Sequence, residues 1–134
     1  MIKVIGVWEL GWTAPISEHP LWDFPLRSFA VDEWYMTPVS GIAKRVTEVG
    51  SIDDAISLNP DLTPIYVDEN GEEELRSFQH PENALYILGK AGYSPWAANN
   101  KQGRSLQIET VVGGGMMWPH QCIPIVLYDR MVKS

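Results

Sequence analysis

Short runs of β-branched and aromatic residues recur along this chain, and segments of helical or loop-like composition separate them. Runs of this kind are typical of strands in a sheet that is covered by its crossover connections. No fixed period relates the runs, so they do not indicate a repeat protein. The alternation predicts an α/β fold with a mostly parallel sheet and helices on both faces. Strands are expected at Lys3–Trp8, Glu33–Pro38, Ala43–Val49 and Ala84–Leu88, at residues 105–112, and from Thr63 toward a turn at Asn70.

Capping residues and prolines indicate where helices begin and end. Ser51, followed three residues later by Asp54, resembles a capping box and predicts a helix over residues 51–58. Prolines between residues 11 and 25 argue against a long helix there, so a short helix is expected only over residues 23–30.

The segments near the end of the chain are expected to be irregular until a terminal helix begins. Residues 72–78 are expected to form one helical turn and residues 90–104 a loop. The terminal helix has Pro119 in its first turn, where proline loses no hydrogen bond, and Pro124 further in, where it should kink the helix.

Length and cysteine content set the broad class of the protein. With 134 residues, 45% of them hydrophobic, the chain is expected to form a single domain over residues 1–134. Cys122 is the single cysteine, which excludes an internal disulfide and suits a cytoplasmic protein. No signal-peptide pattern is present, and the apolar runs fall short of the ~20 residues that span a bilayer. Histidine and cysteine spacing supports no metal site.

The charge of the chain is uneven. The net charge of −7 disfavours electrostatic binding of nucleic acid. Acidic residues concentrate in residues 48–82, where Arg76 is the one base. The rest of the chain is slightly basic, so one face could accept phosphate while another is acidic.

Three consecutive glycines, residues 113–115, lie between the last predicted strand and the terminal helix. Parallel α/β sheets bind ligands at this edge, and glycine, here and at Gly89, lets backbone approach a ligand closely. The spacing alone favours a simpler interpretation, a sharp turn into the helix, because no Lys-Ser/Thr pair follows to form a phosphate loop.

Three segments carry a family resemblance: HPENALYILGKAGYSP from His80, SLQIETVVGGG from Ser105, and PIVLYDRMVK from Pro124. In this order and spacing they resemble the C-terminal half of the SPOUT methyltransferases, most closely the SpoU-like (TrmH-type) branch that methylates ribose 2'-hydroxyls of RNA. The resemblance covers residues 62–133. It implies a deep C-terminal trefoil knot, S-adenosylmethionine (SAM) bound in that knot, and a homodimer.

The resemblance also implies where the cofactor binds. Most of the implied contacts are to backbone and apolar groups, as the flat ring of a purine requires. The implied cofactor-binding residues are Val67, Leu88, Gly89, Ile108, Val111, Val112 and Met117, with Tyr66 and the backbone near Thr110 and Met116 beside them. On this interpretation the glycines wrap the cofactor.

Departures from the family concern the chemistry. Ala91 stands where the family has Glu, and Trp118 stands where it has Asn. The counterpart of the family's catalytic arginine is Arg27, expected to orient or deprotonate a ribose hydroxyl. His120 could replace the lost polar groups. Arg27 is equally explained as a surface residue of an amphipathic segment, and a lone histidine is more often a capping or interface residue.

Functions of different classes therefore stay open. The first is a SAM-dependent RNA 2'-O-ribose methyltransferase acting on tRNA or rRNA, with Lys90, Lys101 and Arg104 contacting phosphate beside the pocket. The second is a catalytically inactive protein of this fold that retains a SAM pocket or a protein partner, which the missing Glu and Asn favour. A methyltransferase with another substrate is a third, and the acidic charge would suit it.

The terminal helix predicts self-association. Its apolar residues make a stripe wider than one sheet face needs, so part of the stripe should pack against a second copy. The residues concerned are Cys122, Ile123, Ile125, Val126 and Met131.

Overall fold

A computed structural model describes residues 1–42, 44–113 and 117–134, which form a seven-stranded sheet. Every pair of neighbouring strands is parallel, as the sequence predicts. The strands are β1 (Ile2–Val7), β2 (Glu33–Thr37), β3 (Thr47–Glu48), β4 (Thr63–Val67), β5 (Glu73–Glu74), β6 (Ala84–Ile87) and β7 (Arg104–Gln107). Their order in the sheet is β3-β2-β1-β6-β4-β7-β5.

Helices cover both faces of this sheet, which confirms the expected layers. They are α1 (Pro15–Ser28), α2 (Ile52–Leu58), α3 (Pro95–Ala98) and α4 (Pro119–Lys133). Successive side chains of a strand point to opposite faces, and β1 shows the consequence. Val4 belongs to the core under α1 and α4, with Trp22 and Ile123, whereas Ile5 belongs to the core under α2 and α3, with Trp96.

The expected third strand, Ala43–Val49, is reduced to the two residues of β3. Arg45 has a φ of 53°, a left-handed conformation that interrupts an extended chain. Its side chain forms an ion pair with Asp23 of α1, with 2.7 Å between Nη2 and Oδ2. The segment before β3 is therefore held to α1, and Ala43 lies outside the described residues.

The prediction that prolines prevent a long helix before residue 25 is wrong. Helix α1 has 14 residues and contains Pro20 and Pro25. Each proline leaves the carbonyl four residues earlier without its usual partner. These carbonyls belong to Ile16 and Leu21, two residues on the exposed side of α1. Burial of the opposite face, including Trp22, outweighs the local preference.

Other local predictions are confirmed. Ser51 Oγ accepts a hydrogen bond from the Asp54 N–H at 3.1 Å, so Ser51 caps α2. Pro119 is the first residue of α4. The expected loop at residues 90–104 also contains the four-residue helix α3, which Ser94 caps. Among the described residues, no helix is long and apolar enough to cross a bilayer.

Candidate functional site

A cavity of about 480 Å³ opens at the carboxyl edge of the sheet. Val67 is the last residue of β4, and Leu88 and Ile108 directly follow β6 and β7. These strands are neighbours in the order β6-β4-β7, so their ends meet at one place. Parallel α/β proteins bind ligands at this edge, and the volume lies within the range of about 300–1,000 Å³ that small-molecule pockets have.

The loop after β6 forms one wall of the cavity. Lys90 and Tyr93 exchange two backbone hydrogen bonds, of 3.2 and 3.0 Å, which close the loop tightly. A Cβ atom at Gly89 would collide with the carbonyl oxygen of Tyr93 and with the ring of Pro95. Glycine is thus required here by the folding of the loop on itself, which leaves the Gly89 backbone lining the cavity.

The first of the consecutive glycines serves the turn after β7. Gly113 has a φ of 79°, where other residues are strained, and its N–H donates to Thr110 Oγ1 at 3.0 Å. A Cβ at this position would meet nothing within 4 Å, so conformation and not space requires the glycine. Gly114, Gly115 and Met116 lie outside the described residues, and wrapping of a cofactor by the glycines stays a prediction.

The start of α4 forms the opposite wall through Met117, Trp118, Pro119 and Cys122. Burial raises the pKa of the Cys122 thiol to about 11. The thiol is therefore protonated near neutral pH and contributes apolar surface rather than a thiolate nucleophile.

Glu9 places a carboxylate in the cavity wall. It follows the end of β1, which pairs with β6, and it is only 3% exposed. Its Oε1 accepts the Ala91 N–H at 2.6 Å, a contact between residues 82 positions apart. Sequence reasoning missed Glu9, although its position just after a strand predicted beside the cavity was a usable signal.

Glu18 fixes the segment that carries Glu9. It is 1% exposed, and its Oε1 accepts hydrogen bonds from the Glu9 N–H and from Thr13 Oγ1, both at 2.8 Å. Its Oε2 accepts the indole N–H of Trp22 at 2.8 Å. Three donors from the loop and from α1 thus satisfy this buried carboxylate.

His120 lies in the first turn of α4, next to the cavity-lining Pro119. Its ring centroid is 5.8 Å from that of Trp118 and 6.3 Å from that of Trp22. Burial lowers the pKa of His120, although Glu18 and Glu9 act in the opposite direction. The ring is therefore neutral near pH 7, and within the described part of the chain its buried Nδ1 has no hydrogen-bond partner.

The structure brings most of the sequence-predicted pocket residues together. Val67, Leu88, Gly89, Ile108 and Met117 all line the cavity, as does Lys90. Val111 and Val112 do not line it, because the chain leaves the sheet after β7 and both residues point into solvent.

Arg27 is not brought to the cavity. The chain turns directly after α1, where the Asp32 N–H donates to the Ile2 carbonyl at the start of β1. Arg27 therefore lies toward the amino edge of the sheet, roughly 18 Å along α1 from its start, since a helix rises about 1.5 Å per residue. Its guanidinium contacts Asp23 at 3.2 Å and the ring of Phe24, and its side chain is 51% exposed.

Lys101 and Arg104 do not line the cavity either. Arg104 is the first residue of β7, about 13 Å from Ile108 at the usual strand rise. It pairs with Glu73 at 2.9 Å and stacks on Phe78. Lys101 stands over the ring of Trp96. Of the three predicted phosphate contacts, Lys90 is the one at the cavity.

The described residues contain no group of three His, Cys, Asp or Glu side chains that could hold a metal ion. No protein-family model matches the sequence, and no curated protein matches it significantly.

Comparison with solved structures identifies the fold. The SpoU methyltransferase AviRb from Streptomyces viridochromogenes, in complex with AdoMet, matches with a TM-score of 0.79 at 9% identity over 99% of this chain and 57% of that one. A protein solved for 2-OH methylation of C/U34 on tRNA matches with a TM-score of 0.77 at 9% identity, over 99% and 90% of the two chains. A TrmH-family protein from Porphyromonas gingivalis matches with a TM-score of 0.71 at 13% identity, over 98% and 60%. The chain has the fold of SpoU and TrmH RNA methyltransferases, as the sequence resemblance predicts.

Proposed function

We propose that the cavity binds S-adenosylmethionine and that the chain transfers its methyl group to a ribose 2'-hydroxyl of tRNA or rRNA. The observation that carries the proposal is the position of the cavity, at the ends of β4, β6 and β7 of a sheet that matches an AdoMet-bound SpoU methyltransferase. RNA is named as substrate because several structural neighbours are RNA methyltransferases.

The residues present fit this cofactor. Leu88 and Ile108 provide apolar surface for a purine ring, and the backbone of loop 89–93 provides peptide groups along its edge. Glu9 provides a negative charge, and the cofactor is positively charged at its sulfonium. The cavity thus has an apolar part and a charged part, as the cofactor does.

Residues of the chain would act mainly by binding and positioning. Bound SAM supplies an electrophilic methyl group. Leu88 and Ile108 exclude water around the ring, and Lys90 contacts an RNA phosphate at the opening. The neutral ring of His120 is the group we assign to accept the hydroxyl proton. His120 does not itself line the cavity but directly follows Pro119, which does.

Two further features of the resemblance belong to this proposal. We infer that residues from about Lys90 onward pass through a loop of earlier chain, forming the knot. We also infer a homodimer through α4. Ile123 and Val126 of the predicted stripe are buried in the chain's own core, whereas Ile125 and Met131 are exposed, as are Tyr128 and Val132.

A SAM-binding protein without turnover is the second candidate function. It is favoured by the place of Arg27 at the amino edge and by the absence of any arginine among the residues that line the described cavity.

Two measurements in sequence test the proposal. Calorimetric titration with SAM should show one site per chain. Incubation with total RNA and radiolabelled SAM, followed by digestion and mass spectrometry, should then yield 2'-O-methylated nucleosides. Binding without transfer would support the second candidate, base-methylated products would exclude ribose specificity, and absence of SAM binding would overturn the proposal.

A further inference from the structure

Glu9 presents a buried carboxylate to the cavity, and most of its hydrogen-bonding capacity is unused by the described residues. Oε1 accepts the Ala91 N–H at 2.6 Å. Within residues 1–42, 44–113 and 117–134, Oε2 accepts no hydrogen bond, although a carboxylate can accept about four. Since Glu9 lines the cavity and is 3% exposed, a ligand bound there can use the remaining acceptor capacity and exclude water from it.

No side chain in the described part of the molecule neutralises this carboxylate. The ion pairs found there involve neither Glu9 nor the neighbouring Glu18. Lys90 lines the same cavity but forms no ion pair with Glu9. His120 is held neutral by burial and so contributes no positive charge near pH 7.

Buried charges in proteins are normally paired, because an isolated charge in a region of low dielectric constant is unfavourable. Glu18 meets this requirement through its three hydrogen-bond donors, whereas Glu9 has one. A ligand with a positive centre at the cavity wall would supply the missing charge.

We propose that Glu9 is a specificity-determining residue that contacts the sulfonium of the methyl donor and so distinguishes the donor from its demethylated product. The inference rests on the proposed function, because it presumes that SAM occupies the cavity. The apolar surfaces of Leu88 and Ile108 lie at the ends of β6 and β7, and Glu9 lies on the β1 side. A ligand whose ring packs on these apolar surfaces and which extends toward β1 places its charged part beside Glu9.

The contact changes during the reaction. Transfer breaks the bond between sulfur and the methyl carbon, forms a bond from that carbon to the ribose oxygen, leaves the electron pair on sulfur and releases the hydroxyl proton. Sulfur thereby loses its positive charge, and Glu9 loses its counter-charge. Product affinity falls as a result, which favours release of S-adenosylhomocysteine.

Calorimetry on the full chain and its variants tests this inference. The ligands are SAM, S-adenosylhomocysteine, and sinefungin, which carries an ammonium in place of the methylated sulfonium. The unaltered protein should bind SAM and sinefungin about tenfold more tightly than S-adenosylhomocysteine, as expected for one charged contact. Glu9→Gln, which keeps an oxygen for the Ala91 N–H, should abolish this difference by weakening the two cationic ligands alone.

Glu69→Gln is the matched control, because Glu69 lines the same cavity but is exposed. It should leave the ratio of affinities unchanged. An equal loss of affinity for all three ligands in Glu9→Gln would overturn the inference, since the α-ammonium is common to them. So would an unchanged ratio. If the unaltered protein binds none of the ligands, the proposed function fails first and the role of Glu9 fails with it.

Discussion

The two edges of the sheet differ in how their charged groups are satisfied. At the amino edge, Lys3 pairs with Glu33 at 2.9 Å, and the terminal amino group donates to the Glu82 carbonyl at 3.2 Å. At the carboxyl edge, Glu109 pairs with Arg76 at 2.6 Å, whereas Glu9, which lines the cavity, is buried without a cation among the described residues.

This difference shows where binding energy is available. Groups that are already paired gain little from a ligand, because a new contact replaces an existing one. A group that is buried and incompletely paired loses no existing contact when a ligand binds, so the new contact contributes its full free energy to binding. The paired groups therefore stabilise the fold, and the part of the carboxyl edge around Glu9 is suited to binding.

The largest effect is expected from filling the cavity. Ile108→Arg places a long charged side chain among apolar groups at the end of β7, so SAM affinity should fall about 100-fold or more, or roughly 3 kcal/mol. Val112→Arg introduces the same side chain in solvent, four residues further on, and should bind SAM normally. Calorimetry with both variants, after a check of their melting temperatures, measures the difference. Equal affinities would place the ligand elsewhere.

The sequence predicted those parts of the carboxyl edge that local sequence patterns determine. Leu88 ends a predicted strand, so the strand pattern and the family resemblance both place it at the cavity. Ile108 was implied by the resemblance alone, because the last strand was predicted to continue to residue 112 and instead ends at Gln107. Gly89 was predicted at the cavity as well. However, glycine is required at this position because a side chain would collide with Tyr93, and not because a ligand approaches it.

The rest depends on contacts between distant residues, which a single sequence does not reveal. Glu9 acquires its role from Ala91, 82 positions away. Helix α1 forms despite its prolines because Trp22 is buried against the sheet and bonded to Glu18. The length of α1 then carries Arg27 toward the amino edge, away from the cavity of its own chain.

The second effect concerns the stability of the segment that holds Glu9. Glu18→Ala removes the acceptor for three donors that are largely buried, so the free energy of unfolding should fall by about 3 kcal/mol. At the amino edge, Asp32→Ala removes one exposed hydrogen bond to the Ile2 N–H, which water can replace, and should cost about 1 kcal/mol or less. Urea unfolding of both variants gives the comparison. Similar losses would show that the two edges do not differ in this way.

A smaller effect on stability is expected from the protonation of His120 at low pH. Burial lowers its pKa in the folded state below the ordinary value of about 6.5, so the unfolded chain binds more protons below that pH. The stability due to neutral His120 is therefore complete above pH 6.5 and is lost as pH falls toward the folded-state pKa. His120→Gln should reduce the loss of stability between pH 7 and pH 5 by about 1 kcal/mol, measured by urea unfolding. Asp23 and Glu48, whose pKa values are lowered, act below about pH 4.5. Burial also lowers the pKa of His80, but His80 is present in both proteins, so its effect cancels in the comparison. Identical pH profiles for variant and unaltered protein would contradict the prediction.

The smallest effect is expected at Arg27, the residue that the family resemblance marked as catalytic. Arg27→Ala removes a half-exposed guanidinium whose partner, Asp23, keeps a second and closer one in Arg45, at 2.7 Å. The pKa of Asp23 is lowered first by its hydrogen bond to Arg45, so the carboxylate stays ionised and paired in the variant. Unfolding free energy should change by less than about 1 kcal/mol, as for other solvent-exposed ion pairs.

Methyl transfer to RNA by Arg27→Ala should stay within about twofold of the unaltered protein. Lys90→Ala, which removes one positive charge at the cavity, should instead raise the RNA concentration needed for half-maximal rate. A loss of transfer in Arg27→Ala with normal SAM binding would return Arg27 to the chemistry and would mean that the amino edge takes part in the reaction.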